Sequence, residues 1–164
     1  MTTAAHSIDA PTYAVEPQTD DDSIIARALA ILAARIKAGP LMDSPRAVRE
    51  YLTVQAAKHD AREVFGVMFL DAQNRVIEFK ELFTGTLTQT SVYPREVVRE
   101  ALKLNAAAVI LSHNHPSGET RPSRADEQLT STLKSALAMV DVRVLDHIIT
   151  AGGTSASMAE LGLI

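Results

Sequence analysis

Cysteine is absent from the 164-residue sequence, and this absence excludes several kinds of chemistry. Disulfide bonds, thiolate metal sites, iron–sulfur clusters and cysteine nucleophiles all require it. The zinc-dependent nucleobase deaminases are excluded as well, because their zinc site needs a pair of cysteines beside a histidine. Any metal ion bound by this protein must therefore be held by histidine, aspartate or glutamate.

Long apolar runs are missing too, since none approaches the roughly 18–20 residues that a membrane-spanning helix needs. The N-terminus lacks the basic start and apolar core of a secretory signal. Hydrophobic residues make up 46% and charged residues 22% of the sequence, which is usual for a globular protein and excludes wholesale disorder. We therefore expect a cytoplasmic protein of about one domain that does not contact a membrane.

Negative charge is concentrated at the N-terminus. Residues 1–23 carry −5 and the whole chain carries −4, so residues 24–164 carry a net charge of +1. Nonspecific binding to nucleic acid relies on many contacts from lysine and arginine to phosphate. A nearly neutral body with an acidic N-terminal segment therefore argues against a nucleic-acid partner.

The hydrophobic pattern divides the chain into three parts. Residues 1–21 have no hydrophobic period and are predicted to be a disordered acidic tail. Residues 22–43 contain a predicted N-terminal helix with a broad apolar stripe, which Gly39-Pro40 ends. Residues 44–164 are the predicted main domain.

The main domain shows the periods of both helices and strands. The first half is predicted to contain a helix to about residue 58, a hairpin of strands 64–70 and 76–83, and an extended segment at 86–92. The second half is predicted to contain a helix from residue 94, a strand at 107–111, a helix from 123 or 124 to 139, and strands at 142–150 and 155–158. The helix from residue 94 is predicted to bury Val97, Val98, Ala101, Leu102 and Leu104. This order predicts an α/β or α+β sandwich with a mixed sheet.

Two histidines lie at the carboxyl end of a predicted buried strand, in the sequence His113-Asn-His115-Pro. Side chains two residues apart on a strand point to the same side, so both imidazoles aim at one point. Asp126 lies eleven residues after His115, and the intervening loop is long enough to bring its carboxylate to that point. Two histidines and one carboxylate with an open fourth position are typical of a catalytic zinc site.

Each of these residues also has an alternative interpretation. An H-x-H pair is a weak signal by itself, because many such histidines are surface or core residues. Asp126 stands three residues after Ser123, so the two side chains also suit a capping box at the start of a helix. The combination of an apolar strand, H-x-H-P, a polar loop and S-x-x-D in this order is what favours the metal site.

The same residues resemble a known family. The H-x-H-P sequence followed by S-x-x-D is similar to the JAMM motif of the JAB/MPN+ metallopeptidases. The segments HNHPSG, PSRAD and VRVLDHII resemble the RadC branch of bacterial proteins still more closely, and the resemblance covers roughly residues 44–164. JAMM enzymes also have a glutamate just before a buried strand, and Glu63 stands at that place.

This resemblance implies a fold, a metal and a set of site residues. The fold would be a cytidine-deaminase-like three-layer α/β/α sandwich. His113, His115 and Asp126 would be the ligands of a zinc ion, Glu63 would be the general base, and Ser123 would position or stabilise the oxyanion. The protein would be a zinc metallopeptidase of the JAMM type, in which water attacks a peptide or isopeptide bond of a peptide or protein substrate.

Several other polar residues are weaker candidates. From the residues alone, Glu81 and Glu96 rival Glu63, although each is more typical of a surface position. His147 is predicted to be a buried, hydrogen-bonded histidine, and His59, at a polar helix end, is a poor ligand. Three arginines are candidates for lining a substrate groove, with solvated charge as the default: Arg95, Arg121 and Arg124.

Two departures limit what the resemblance implies. Longer RadC proteins carry a helix–hairpin–helix region, a DNA-binding type, and this sequence shows no Gly-x-Gly hairpin of that kind, so the link to DNA repair in the family's name is a weak guide. The H-S-H pair of the eukaryotic deubiquitinases is H-N-H here, so their substrates are not carried over.

The alternative to an enzyme is a non-catalytic interaction module of the same fold in a DNA-repair or mobile-element pathway. A metal-dependent nuclease is less favoured, because nucleases usually gather several carboxylates around hard cations. A homodimer is left open.

Overall fold

The computed structural model describes residues 20–37, 45–59, 61–85 and 91–164. Within these residues the chain forms four helices and five strands: α1 (Asp20–Lys37), α2 (Pro45–Ala56), β1 (Val64–Leu70), β2 (Val76–Thr84), α3 (Pro94–Lys103), β3 (Ala108–Asn114), α4 (Arg124–Ala138), β4 (Arg143–Ala151) and β5 (Thr154–Ser157). The predicted helices and strands are present there, with ends shifted by a few residues. Most of the predicted tail, the helix end at Gly39-Pro40 and residues 86–90 of the predicted extended segment lie outside the described residues.

The five strands form one mixed sheet in the order β2-β1-β3-β4-β5. β1 is antiparallel to both β2 and β3, β3 is parallel to β4, and β5 is antiparallel to β4. β1 and β3 are buried along their whole length, as expected for central strands covered on both faces.

Two pairs of helices cover the two faces of this sheet. On one face, Leu29 of α1 and Leu52 of α2 belong to a core cluster that includes Met68 and Ile110 of the sheet. On the other face, α3 and α4 pack through residues such as Leu133 against a second cluster. The arrangement is a three-layer α/β/α sandwich with a mixed sheet, which confirms the predicted fold class.

Two helices bury less of their apolar surface than the sequence predicts. The prediction that Leu102 lies in the core is wrong, since its side chain is 57% exposed. An α-helix turns by about 100° per residue, so Leu102 points away from the face that buries Val97 and Ala101. Ile24 and Ile31 of α1 are likewise exposed, because α1 packs mainly on α2 and presents one face to it.

The parallel pair β3 and β4 determines where a site can form. Their carboxyl ends meet at one edge of the sheet, and α4 begins after the loop that leaves β3 at this edge. In α/β sheets this is the edge at which ligands usually bind. Among the described residues, no helix combines the length and the apolar content that crossing a membrane requires.

Candidate metal centre

β3 carries two histidines to the edge of the sheet. His113 is 2% exposed, and its ring stacks on Phe65 of β1 with the ring centroids 6.3 Å apart. The N–H of His115 donates to the carbonyl of Thr150 in β4 at 2.8 Å, which extends the strand pairing past the end of β3. Pro116 has no N–H and ends it. The two imidazole centroids lie 4.6 Å apart, as the strand alternation predicted.

The start of α4 supplies a carboxylate to the same point. Ser123 is the N-cap residue of α4, and its Oγ accepts a hydrogen bond from the Asp126 N–H at 3.2 Å. Asp126 Oδ2 in turn accepts from the N–H and the hydroxyl of Ser123, each at 2.7 Å. The capping box is therefore present, and it is compatible with a metal site at the same residue. It leaves Asp126 Oδ1 facing His113 Nε2 at 3.2 Å.

The atoms that converge here are suited to a cation. His115 Nδ1 lies 2.7 Å from the Glu119 carbonyl, which can only accept, so Nδ1 carries the proton and Nε2 of the neutral ring carries a lone pair. His113 Nδ1 is also engaged outside the cluster, with His147. The two Nε2 atoms lie 2.8 Å apart, and the carboxylate oxygens of Asp126 lie 3.2 and 3.6 Å from them. A metal cation at this point could accept an Nε2 lone pair from each neutral ring together with a carboxylate oxygen of Asp126.

In the part of the chain that the structure describes, these three residues form the one group of possible metal ligands. The ligand atoms of His113, His115 and Asp126 all lie within 4.8 Å of one another. Two nitrogen ligands and one oxygen ligand with an open fourth position fit zinc. The structure thus brings together the residues that the sequence selected, and the identity of the metal stays a prediction.

Charge at the cluster agrees with a ligand role. Burial raises the pKa of Asp126, but its contacts with His113 and the hydrogen bonds from Ser123 outweigh this effect and hold the pKa well below its usual range. The carboxylate is therefore ionised at neutral pH, as a metal ligand must be. Burial lowers the pKa of His147 well below its usual value, so this ring is neutral at neutral pH.

Glu63 lies immediately before β1 and is half-buried. Its carbonyl accepts a hydrogen bond from the Gly85 N–H at 2.8 Å, so the backbone still pairs with the segment after β2 at this position. Alternation from Phe65, which stacks on His113, puts Glu63 on the face of the sheet that carries the histidines. Glu63 is not a member of the ligand cluster found among the described residues.

Asn114 connects the two histidines to the segment that carries Glu63. Its Oδ1 accepts a hydrogen bond from the Val64 N–H at 2.7 Å, and its Nδ2 donates to the carbonyls of His59 and Arg62 at 2.9 and 2.8 Å. The sequence analysis missed this residue. The only available signal was its place between two candidate ligands.

The weaker candidates lie outside the ligand cluster. Glu81 is exposed and contacts His59 Nε2 at 2.9 Å, and Glu96 is half-buried in an ion pair with Arg99. His147 is fully buried and hydrogen-bonded, as predicted, but its contact with a candidate ligand was not foreseen. The three candidate groove arginines are all exposed: Arg95, Arg121 and Arg124.

A cleft of about 350 Å³ opens beside the cluster. It lies between the end of α2 and the turn after β4, and its lining includes His115, Ala56, Gly118 and Gly152. Within its described lining, histidine is the only titratable residue type, and most of the other side chains are small. The cleft therefore offers room next to one candidate ligand, His115, and its described lining adds no lysine, arginine, aspartate or glutamate.

Comparisons with known proteins agree with this architecture. The RadC-like JAB domain family matches residues 42–163. A UPF0758 protein from Methylibium petroleiphilum is 61% identical over 133 residues, which cover 81% of this chain and 60% of the relative. UPF0758 proteins from a Polaromonas species and from Leptothrix cholodnii are 58% and 55% identical over 142 residues, which cover 87% of this chain and 63% and 64% of those relatives. This chain thus spans less than two thirds of the length of each. The chain belongs to the RadC-like JAB domain family.

Proposed function

We propose that this protein is a zinc-dependent, metallopeptidase-like hydrolase that cleaves a peptide or isopeptide bond. The observation that carries the proposal is the convergence of His113 Nε2, His115 Nε2 and an Asp126 carboxylate oxygen. Three protein ligands with an open fourth position are the pattern of catalytic zinc sites, whereas structural zinc sites are closed by four ligands. A bound zinc ion lowers the pKa of its water to about 7 and polarises a carbonyl oxygen.

Glu63 is the proposed general base. It lies on the histidine face of the sheet but outside the ligand cluster, so the proposed task of its carboxylate is to accept a proton from the attacking water and not to bind the metal. The same carboxyl group then gives this proton to the leaving amine. Asn114 supports the role indirectly, because its three hydrogen bonds hold the segment just before β1 against β3.

Ser123 is the proposed oxyanion partner. Its hydroxyl lies at the exposed start of α4 and donates to Asp126 Oδ2 at 2.7 Å. A hydroxyl has one hydrogen to donate, so stabilising an oxyanion requires this hydrogen to turn away from Asp126. Coordination of a metal ion by the Asp126 carboxylate would favour that turn, because it would withdraw electron density from the oxygen that accepts the bond.

The cleft beside His115 is the proposed place for the substrate chain. Its described lining contains no lysine, arginine, aspartate or glutamate, so it suits an uncharged stretch of peptide better than a strongly acidic or basic one. The body of the protein is nearly neutral, and this also favours a peptide over a polyanion as substrate.

Zinc analysis of the purified protein tests the proposal first. We expect about one zinc ion per chain in the wild type and strong loss of zinc in His113→Ala and His115→Ala, because two remaining protein ligands hold zinc poorly. His59→Ala is the matched control, since His59 lies outside the cluster, and it should retain zinc.

A peptide library then tests the reaction. Cleavage products that depend on zinc and disappear in His113→Ala support a hydrolase. Full zinc occupancy with no cleavage of any peptide or isopeptide substrate would favour a non-catalytic module. Unchanged zinc content in both histidine variants would contradict the proposed metal site itself.

A further inference from the structure

A chain of hydrogen bonds leads from α4 through a buried histidine to the candidate ligand His113. Thr130 Oγ1 lies 2.6 Å from the Asp126 carbonyl oxygen and 2.7 Å from His147 Nδ1. His147 Nε2 lies 2.8 Å from His113 Nδ1. His147 is fully buried and belongs to neither the ligand cluster nor the proposed catalytic groups.

The direction of each hydrogen bond in this chain follows from its first member. The Asp126 carbonyl can only accept, so at 2.6 Å the single hydrogen of the Thr130 hydroxyl must lie between these two oxygens. Thr130 Oγ1 therefore accepts from His147 Nδ1–H. The Nε2 of a neutral His147 then carries a lone pair and accepts from His113 Nδ1–H. In the neutral form of His113, which is the form that binds a metal, the remaining nitrogen, Nε2, then carries the lone pair and faces His115 and Asp126.

We propose that His147 is a positioning residue that holds His113 in the Nδ1–H tautomer, so that the His113 Nε2 lone pair is directed at the metal. The inference rests on the metal site proposed above. The partner that a ligating histidine contacts through its other nitrogen sets both the tautomer and the orientation of the ring. The backbone carbonyl of Glu119 is this partner for His115. For His113 the partner is the side chain of His147 on the neighbouring strand β4.

The residues around His147 restrict the orientation and the hydrogen bonding of its ring. Phe65 covers one side, with an edge-on contact at a centroid distance of 5.6 Å from His147 and a stacked contact with His113. No buried side-chain nitrogen or oxygen among the described residues lacks a hydrogen-bond partner. Because water has no access to a fully buried ring, replacing His147 by an apolar residue leaves His113 Nδ1–H unpaired and frees the ring to change tautomer.

Nitrogen-15 NMR of the histidine rings in the metal-free protein tests the tautomer directly. Protonated and unprotonated ring nitrogens have different chemical shifts, so the spectrum reports which nitrogen carries the proton. At a pH at which both rings are neutral, we expect both His113 and His147 in the Nδ1–H form. An Nε2–H form of His113 in the wild type would overturn the inference, whatever the protein's activity.

Zinc affinity, measured by competition with a chromogenic chelator, tests the consequence. We expect His147→Leu to weaken zinc binding by about 10–100-fold, the usual effect of removing the partner of a ligating histidine. His147→Gln should stay within a few-fold of the wild type, because a carboxamide can accept from His113 and donate to Thr130. Thr130→Val and Thr130→Ser form a second pair, in which only the variant that keeps the hydroxyl should keep the His113 tautomer.

The outcomes separate this inference from the proposed function. Wild-type zinc affinity in a folded His147→Leu protein would contradict the positioning role and leave the zinc site intact. If His147→Leu does not fold, the threonine pair and the wild-type spectrum still decide the question. The expected tautomers and affinities without any hydrolysis would count against the hydrolase alone.

Discussion

At the scale of single residues, a polar side chain of the site uses one atom to stabilise the fold and directs another atom at the candidate metal site. Asp126 uses Oδ2 to cap α4 and turns Oδ1 towards His113. His115 uses Nδ1 to bind the Glu119 carbonyl and keeps Nε2 for the cluster. Because one side chain serves both purposes, truncation to alanine disturbs fold and site together. Substitutions that keep the shape and change one atom separate the two.

Glu63→Gln tests the general base in this way. Glutamine keeps the size and part of the hydrogen bonding of glutamate but cannot take a proton from water. We expect zinc content and melting temperature to stay close to the wild type, and turnover of a library-derived peptide to fall by about 10²–10⁴-fold. Glu81→Gln is the control and should reduce turnover only slightly, because Glu81 is exposed and outside the cluster. Loss of zinc in Glu63→Gln would make Glu63 a ligand, and full activity would remove it from the mechanism.

His147 predicts how the stability of the metal-free protein depends on pH. Burial lowers its pKa in the folded state, whereas in the unfolded chain the pKa is about 6.5. The stability from this residue is therefore fully present above about pH 6.5. It declines as the pH falls below that value, because the unfolded chain takes up a proton that the folded protein does not.

Urea denaturation of the metal-free protein between pH 7.5 and 5 measures this effect. We expect the unfolding free energy of the wild type to fall more steeply than that of His147→Gln, by at most about 1.4 kcal/mol per pH unit. All other titratable groups are shared, so the difference reports the titration of His147 together with its coupling to the neighbouring groups, of which His113 is the nearest. Parallel pH profiles for the two proteins would mean that the buried ring is protonated in the folded state as well.

At the scale of helices and strands, prediction from sequence works where the pattern is local. The apolar run of β1 and the S-x-x-D start of α4 fix those elements without reference to the rest of the chain. Leu102 shows the limit, because a helix in isolation does not reveal how wide its buried face is. Asn114 shows it again, since its hydrogen bonds reach residues more than 50 positions away.

Asn114→Asp tests the link between β3 and the segment before β1. Aspartate has the same size but no amide hydrogens, so the carbonyls of His59 and Arg62 lose their donor and face a carboxylate. We expect the unfolding free energy to fall by about 1–3 kcal/mol and amide hydrogen exchange to accelerate in the segment before β1. Asn105→Asp is the control, because Asn105 is exposed and its positive φ is tolerated by aspartate. Equal stability of the two variants would show that Asn114 does not hold the segment.

At the scale of the whole molecule, the candidate site joins two layers of the sandwich. His113 belongs to the central sheet and Asp126 to the helical layer formed by α3 and α4. The candidate ligands lie within 14 residues of one another in the chain, so the sequence was sufficient to predict them. Asn114's contacts, the role of His147 and the cleft beside His115 depend on strand order and on packing between layers. No local pattern encodes that information, so these parts of the site emerge only from the folded chain.

A metal that joins two layers should stabilise the whole domain, and thermal unfolding with and without zinc tests this. A ligand that binds only the folded state, present at about 100 times its Kd, stabilises by about 2.7 kcal/mol. For a domain of this size the melting temperature should then rise by roughly 5–10 °C.

Asp126→Asn should remove most of this rise, because its side-chain oxygen can still accept from Ser123 while its neutral amide is a poor zinc ligand. Glu127→Gln is the matched control: it removes one negative charge from the same turn of α4 at an exposed position, so the zinc-induced rise should persist. A rise of equal size in Asp126→Asn would place the stabilising zinc elsewhere on the protein. The absence of any rise in the wild type would mean that zinc does not link the sheet to α4.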